Sequence, residues 1–493
     1  MLARLAEVTV RRRKRVLLVS LVLFAIAGVA GGGVAGRLSS GGFDDPGAES
    51  TEAGRLVDEV FGAGEPNVVL LVTANAGSVD APAAAAAGAA LTAELGTTPG
   101  VEQASSYWSL GSVPPLRSND GRQALVLARI AGDEDEVGDR IETVSPAFTR
   151  QTADIDVRVG GQAEVFRQIS GTVEEDLARA EGVAIPITLL LLLLVFGSVV
   201  AAGLPVGIGM LSIIGTFLVL RVLSEFTQVS IFALNLTTAM GLGLAIDYSL
   251  FVVSRYREEL RRGLDPHAAV VRAVQTAGRT VVFSAATVAV SLAALLVFPL
   301  AFLRSFAYAG IAVVAIAALV SVVVLPAGLA VIGRNIDRWA LVRRRPKEVG
   351  EGFWHRMATT VMRRPVLIGG SIVALLIVLG LPFLHVQLGL PDDRVLPADV
   401  SSREVQDQIR ANFMSNEAGA AEVVAVGIGD PRAHAADISG YAASLSQLDS
   451  VARVDALTGS FAGGRQVAEP NAASARFEAA DGTWWSVVPS VEP

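Results

Sequence analysis

Met240-Gly241-Leu242-Gly243-Leu244-Ala245-Ile246-Asp247-Tyr248-Ser249-Leu250-Phe251 sets one carboxylate inside a run, residues 226–254, that holds no other charge. A run this long and apolar can cross a bilayer, which takes roughly 20 mostly apolar residues. An ionised carboxylate at the centre of hydrocarbon costs on the order of 2.5–3.5 kcal/mol on insertion scales, so such residues are rare and mark ion or proton pathways. Tyr248 puts a hydroxyl beside the acid, and Gly241 and Gly243 let neighbouring helices come close. The stretch reads as a proton-handling site within a spanning helix.

Working outward, the same criterion yields seven spans. Residues 16–36 form the first, and 182–220, without a charge, form the second and third, divided by a turn at Gly203-Leu204-Pro205. Residues 226–254, 280–303, 305–333 and 365–384 supply the rest. Positive charge orients them. Six Lys/Arg fall in 1–15, six in 255–279 and nine in 334–364, all on the side this rule makes cytoplasmic. The first span follows Arg11-Arg12-Arg13-Lys14-Arg15 and reads as a retained anchor, because its apolar run is too long for a signal peptide and lacks a small-x-small cleavage site.

The chain of 493 residues is 52% hydrophobic and 18% charged, less charged than a soluble protein of this size. With no cysteine it can build neither disulfides nor a cysteine metal site. Its four histidines lack metal-ligand spacing, and neither lysine, Lys14 or Lys347, sits in a phosphate-binding loop. Uphill work must therefore draw on an ion gradient or another subunit. The chain reads as a secondary active transporter, not an enzyme, with no cofactor, no metal and no nucleic-acid partner.

Two acidic segments lie outside the membrane. Residues 37–182 carry 10 Arg against 24 Asp/Glu, and 386–493 carry 7 against 15. They look like copies of one unit. Asp44-Asp45 precedes an amphipathic stretch through Leu56 and Phe61, as Asp392-Asp393 precedes one through Val405 and Phe413. Asp120-Gly121 likewise answers Asp481-Gly482. The first copy reads as α+β: strands at 67–72, 125–130 and 155–159, and helices at 81–95 and 135–149, the rhythm of a split βαβ unit. Residues 164–181 should continue into the second span as one rigid helix. The organisation is then a cytoplasmic segment (1–15), a first helix (16–36), an extracytoplasmic domain (37–182), helices two to six (183–333), a cytoplasmic linker (334–364), a seventh helix (365–385) and a second extracytoplasmic domain (386–493). A duplication predicts five further helices and a second intramembrane acid after the second domain. The expectation is a truncated chain, or one completed by another polypeptide.

One span, an outer domain, five spans, a basic linker, one span and a second outer domain resemble the MMPL branch of the resistance-nodulation-division transporters. Residues 241–251 resemble that family's fourth-helix motif, whose Asp-Tyr pair is a proton relay, and Gly278-Arg279-Thr280-Val281-Val282-Phe283-Ser284-Ala285 resembles its entry into the fifth helix. The resemblance implies a polytopic inner-membrane protein with porter-like outer domains. It also implies export of lipids or other lipophilic molecules toward the cell envelope, driven by protons. Partners would be the lipid substrate, protons, the membrane, and the absent half or other envelope-assembly proteins. The composition, rich in Arg, Ala, Gly and Val, suits a high-GC bacterium such as an actinobacterium. Other readings are an accessory subunit of protein secretion similar to SecDF, and a non-transporting fragment.

The relay set is Asp247, Tyr248 and Ser284, with Gly241 and Gly243 as packing glycines beside it. Ser284, Thr287 and Ser291 share one helix face by spacing, though such hydroxyls also satisfy their own helix. Arg255, Arg257, Arg261 and Arg262 are topogenic charges before they are lipid ligands. Tyr107, Trp108, Trp484 and Trp485 read as domain core.

Overall fold

A computed structural model of the chain describes residues 2–39, 41–64, 66–132, 134–340, 353–386, 392–413 and 419–490. It opens with α1 (Leu2–Arg11), whose Ala6, Thr9 and Val10 are buried on one face, and α2 (Arg13–Gly31), the first helix long and apolar enough to cross a membrane. Then comes α3 (Glu49–Phe61), ended by Gly62 in the left-handed region, where a Cβ would be strained. The first sheet domain follows as β1 (Val68–Ala74), α4 (Pro82–Gly96), β2 (Val101–Ser106), β3 (Gln123–Ile130), α5 (Glu134–Phe148), β4 (Arg150–Gln151) and β5 (Ile155–Gly160). Its strands lie in the order β2-β3-β1-β5-β4, all antiparallel. Central β1 is apolar and buried along nearly its whole length, as a covered strand must be.

From Gly161 the chain runs straight into α6 (Gln162–Phe196), whose 35 residues span roughly 50 Å at 1.5 Å per residue. One rigid rod thus joins the sheet to the second span. The bundle continues with α7 (Val199–Leu223), α8 (Phe232–Arg261), α9 (Pro266–Ala293) and a sixth span made of α10 (Ala301–Leu319), a π-helical turn (Val320–Val324) and α11 (Leu325–Ile332). Alanine and valine fill its core, so α7, α8 and α10 pack closely. The turn between the second and third spans is not at Gly203-Leu204-Pro205. It falls at Gly197, left-handed at φ +71°, followed by Ser198, whose hydroxyl oxygen caps α7 by accepting from the Ala201 N–H. Pro205 stays inside α7, since a membrane helix can re-satisfy the carbonyl a proline leaves free.

After the sixth span come α12 (Phe353–Arg363) and α13 (Pro365–Gly380), the seventh apolar helix, none of whose residues is buried. Linker residues 341–352 lie outside the described residues. The second sheet domain comprises α14 (Ser401–Asn412), β6 (Ala421–Val426), α15 (Ala435–Leu445), β7 (Val451–Ala456), β8 (Gly459–Ala462), β9 (Arg465–Ala468), β10 (Glu478–Ala479) and β11 (Gly482–Pro489). Its strands are antiparallel too, ordered β10-β11-β7-β8-β9 with β6 also paired to β11.

The two domains exchange helices. α14, which opens the second segment, lays Val405, Ile409 and Phe413 into the core of the first sheet, and its Glu404 pairs with Arg158 of β5. In return α3 packs Val57 and Phe61 against Val424, Phe477 and Trp484 of the second sheet. Asp393 fixes the start of this exchange. Its buried carboxylate meets Arg403 (3.5 Å) and Arg410, both on α14. At the seam, Arg129 of β3 pairs with Asp58 of α3 and holds that carboxyl below its usual range. Glu422 of β6 lies nearby, and burial pushes its carboxyl up.

Candidate functional site

Asp247 lies in the second half of α8, and successive helix residues point about 100° apart. It therefore parts company with its neighbour. Asp247 is exposed on an open side of the bundle, where Gly243 and Phe251 also face outward, while Tyr248 turns inward and is only 3% exposed. Among the described residues Asp247 has neither an ion pair nor a hydrogen bond. Tyr248 does not donate to it: the Tyr248 hydroxyl is buried without a protein partner in hydrogen-bonding geometry, and Ser284 of α9 is its polar neighbour.

The two glycines differ. A Cβ on Gly241 would come within 2.7 Å of Ile213 on α7 and 3.1 Å of Val313 on α10, so only glycine permits this approach. A Cβ on Gly243, which faces outward, would meet nothing within 4 Å among the described residues. On α9, Thr287 and Ser291 spend their hydroxyls on the carbonyls of Phe283 and Thr287, at 2.9 and 3.0 Å. Half-buried Ser284 makes no such bond and is the one of the three that reaches Tyr248.

The far end of the bundle is knit by its basic residues. Arg255 and Arg262 pair with Glu258 and Glu259, and Arg257 pairs with Asp337. Tyr256 Oη donates to the Gly333 carbonyl at 3.0 Å, and Arg13 donates to Ala330. These arginines hold helix ends together. In the sheet domains, Tyr107, Trp108, Trp484 and Trp485 are core, each donating to a named partner: Asp80, Val79, Arg476 and Ile438.

Sequence reasoning did not locate the cavities, which arise only when distant segments meet. One of about 860 Å³ opens between α6, α7 and α8 beneath the sheet domains, walled by Ile185, Met210, Ile214, Ala239 and Leu242. Asp247 sits five residues beyond Leu242, roughly 8 Å further along the helix. A second cavity, of about 680 Å³, is lined by polar groups including Arg37, Asp44, Glu142 and Arg167. Phe43 and Phe166 stack between the two at 6.4 Å, and Phe302 closes on Phe43 at 4.7 Å. Adjacent residues Phe43 and Asp44 line opposite cavities, so the two spaces abut across this aromatic cluster.

Comparison with known proteins fits this architecture. The chain is similar to the trehalose monomycolate exporter MmpL3 of Mycolicibacterium smegmatis, 36% identical over 369 residues, 67% of this chain and 36% of that protein. It is 36% identical over 417 residues to the putative membrane protein SCO6666 of Streptomyces coelicolor, 84% of this chain and 58% of that protein. The heme uptake protein MmpL11 of Mycobacterium tuberculosis is 35% identical over 366 residues, 72% of this chain and 37% of the relative. The chain thus spans 36% to 58% of the length of these relatives. The pattern that defines the MMPL family matches residues 42–368, and the chain belongs to that family.

Proposed function

We propose that this chain carries the lipid-receiving and proton-loading parts of a proton-driven exporter of lipids or other lipophilic molecules. It would work across the inner membrane toward the envelope, with 1–15 on the cytoplasmic side and the sheet domains outside. The observation that carries the lipid reading is the apolar cavity at the top of α7 and α8, backed by a polar one. Apolar tails suit the first space and a polar head the second. Relatives named as exporters of a trehalose lipid support the same reading. The strand order, with β3 between β1 and β2 and β5 beyond β1, supports a split βαβ, porter-like domain.

For the energy source the reading rests on Asp247. A carboxylate with no cation partner in a membrane-spanning helix is rare and marks an ion or proton pathway. Proton loading and release would therefore shift the preferred packing of α8, against which the cavity is built. The α6 rod would carry that shift to the sheet domain. Tyr248 and Ser284 act with Asp247 as hydroxyls that accept and pass the proton.

The test is Asp247→Asn in the native host. Export of envelope lipid should fall to background while membrane abundance stays at the native level. Unimpaired export would remove Asp247 from the mechanism. Loss of export together with loss of the protein from the membrane would make it a folding residue instead.

A further inference from the structure

Phe43, Phe166, Phe232, Phe302 and Phe306 come from separate stretches of chain and meet where the bundle joins the sheet domains. Phe43 lies at their centre. Its ring stacks on Phe166 of α6 at 6.4 Å with 11° between the planes, meets Phe302 at 4.7 Å, and makes an edge contact with Phe232 at 6.0 Å. Phe302 in turn makes edge contacts with Phe232 at 5.7 Å and Phe306 at 4.7 Å. Stacked and edge-to-face rings attract one another with no polar partner. The Phe43–Phe166 pair is a wall two rings thick. Phe43 lines the apolar cavity of about 860 Å³, and Phe166 lines the polar one of about 680 Å³.

The backbone around Phe43 is tied to the helix starts on either side. The Ser39 N–H donates to the Val229 carbonyl and the Ser39 carbonyl accepts from the Ile231 N–H, both at 2.9 Å, just ahead of α8. The Gly42 carbonyl accepts from the Phe302 N–H at 2.9 Å, at the start of α10. Gly42 sits at φ +85°, and a Cβ there would come within 3.1 Å of Ala301, so the chain passes α10 in a conformation that suits glycine. With the backbone held, the partly buried ring of Phe43 is the part left to turn, about its Cα–Cβ bond.

The wall is also short. Phe43 lines the apolar space, and Asp44, about 3.8 Å further along the backbone, lines the polar one. An amphiphile joins its head to its tail by a single linkage, so one molecule lying across this wall has each part in matching surroundings. The polar chamber is rich in carboxylate. Arg37 pairs with Glu225 and Arg167 with Glu164, while Asp44, Asp139 and Glu142 have no ion pair among the described residues. A head without negative charge suits it.

We propose that Phe43 is the specificity-determining residue of this lipid site. Its ring turns away from Phe166 to admit an amphiphile that lies with its tail in the apolar cavity and an uncharged head in the polar one, and it closes the wall when the site is empty. The proposal rests on the lipid-receiving reading above and names the residue that links its two cavities.

The chain has no cysteine, so single introduced thiols report on each space separately. Met210→Cys marks the apolar wall and Glu142→Cys the polar one. Each is made in the full chain, held in lipid nanodiscs and labelled with N-ethylmaleimide. Dodecyl maltoside, whose head is uncharged, is added as the amphiphile below its solubilising concentration. With Phe43 in place, both thiols should be protected at the same half-protecting concentration. Phe43→Trp, whose larger ring fills the gap between Phe166 and Phe302, should keep protection at Met210→Cys and lose it at Glu142→Cys. The retained protection also shows that this variant has folded. Phe43→Ala, which removes the ring, should keep protection at both. Linked protection that Phe43→Trp leaves intact, or that Phe43→Ala abolishes, would make Phe43 a packing residue and overturn the proposal. Protection at Met210→Cys alone with Phe43 in place would overturn it too, while the lipid reading stood. Protection at neither thiol would bring down the lipid reading and this proposal together.

Discussion

The sheet domains and the middle of the membrane bundle differ in how their carboxylates are partnered. In the domains each deeply buried carboxylate is matched by guanidinium: Asp393 by Arg403 and Arg410, and Glu164 by Arg167. In the middle of the bundle Asp247, exposed on its open side, has no such partner among the described residues, whereas buried Glu259 at the bundle's basic end is matched by Arg255 and Arg262 as in the domains. The domains are also closed to one another through α3 and α14, whereas α13 stands clear of the bundle with no buried residue. A matched charge fixes geometry. An unmatched one leaves its helix without that tie.

The contrast can be broken most forcefully at Asp393. Asp393→Ala should strip two guanidiniums of their buried partner and destabilise the outer domains by about 3 kcal/mol, at the low end for a broken buried pair because Asp407 still meets both. Thermal unfolding of the reconstituted chain measures it. Asp247→Asn, by comparison, should leave the melting temperature unchanged, since no ion pair or hydrogen bond among the described residues is lost. Equal losses from the two variants would erase the distinction between paired and unpaired carboxylates.

The helix exchange offers a sharper cut. Val405→Ala and Val57→Ala each delete two buried methyls and should each cost about 2 kcal/mol. The location of the damage is the informative part. Val405 belongs by sequence to the second segment, yet its loss should speed hydrogen exchange in β1 and β5 of the first sheet. Val57 should do the reverse, loosening β6 and β11. Damage confined to each residue's own segment would mean that the exchanged packing is absent in solution.

What the sequence announces and what it conceals divide along the same line. Spans, the α6 rod, the strands and the lone acid are local signals: a hydropathy run, a charge count, an alternation. The turn between the second and third spans was also written locally, as a left-handed glycine, Gly197, followed by a serine cap. Gly203-Leu204-Pro205 outcompeted it because proline reads as a breaker in water and not in a membrane helix. The exchange of α3 and α14 is silent, since both are amphipathic helices ahead of similar sheets and either pattern would suit either domain. The divergence of Asp247 from Tyr248 is legible as a 100° step.

Glu422 occupies the ground between the two kinds of carboxylate and gives the mildest test. It is half-buried at the seam, attracted by Arg129 and Arg476 and repelled by Asp58, and burial dominates, so its carboxyl titrates above the ordinary range. The sign follows directly. A carboxyl whose folded pKa is raised favours the folded state when protonated, so its contribution to stability is present at low pH and lost as pH rises through the raised value. The seam should therefore loosen slightly between mildly acidic and neutral pH. Glu422→Gln, uncharged throughout, should melt slightly higher than the native chain at neutral pH and equally at acidic pH. Matched melting curves for the two at every pH would place Glu422 with the fixed, fully compensated charges of the domains. A gap that opens only as pH rises would make it a third case, a carboxylate neither matched nor free, whose charge state sets how tightly the two outer domains hold together.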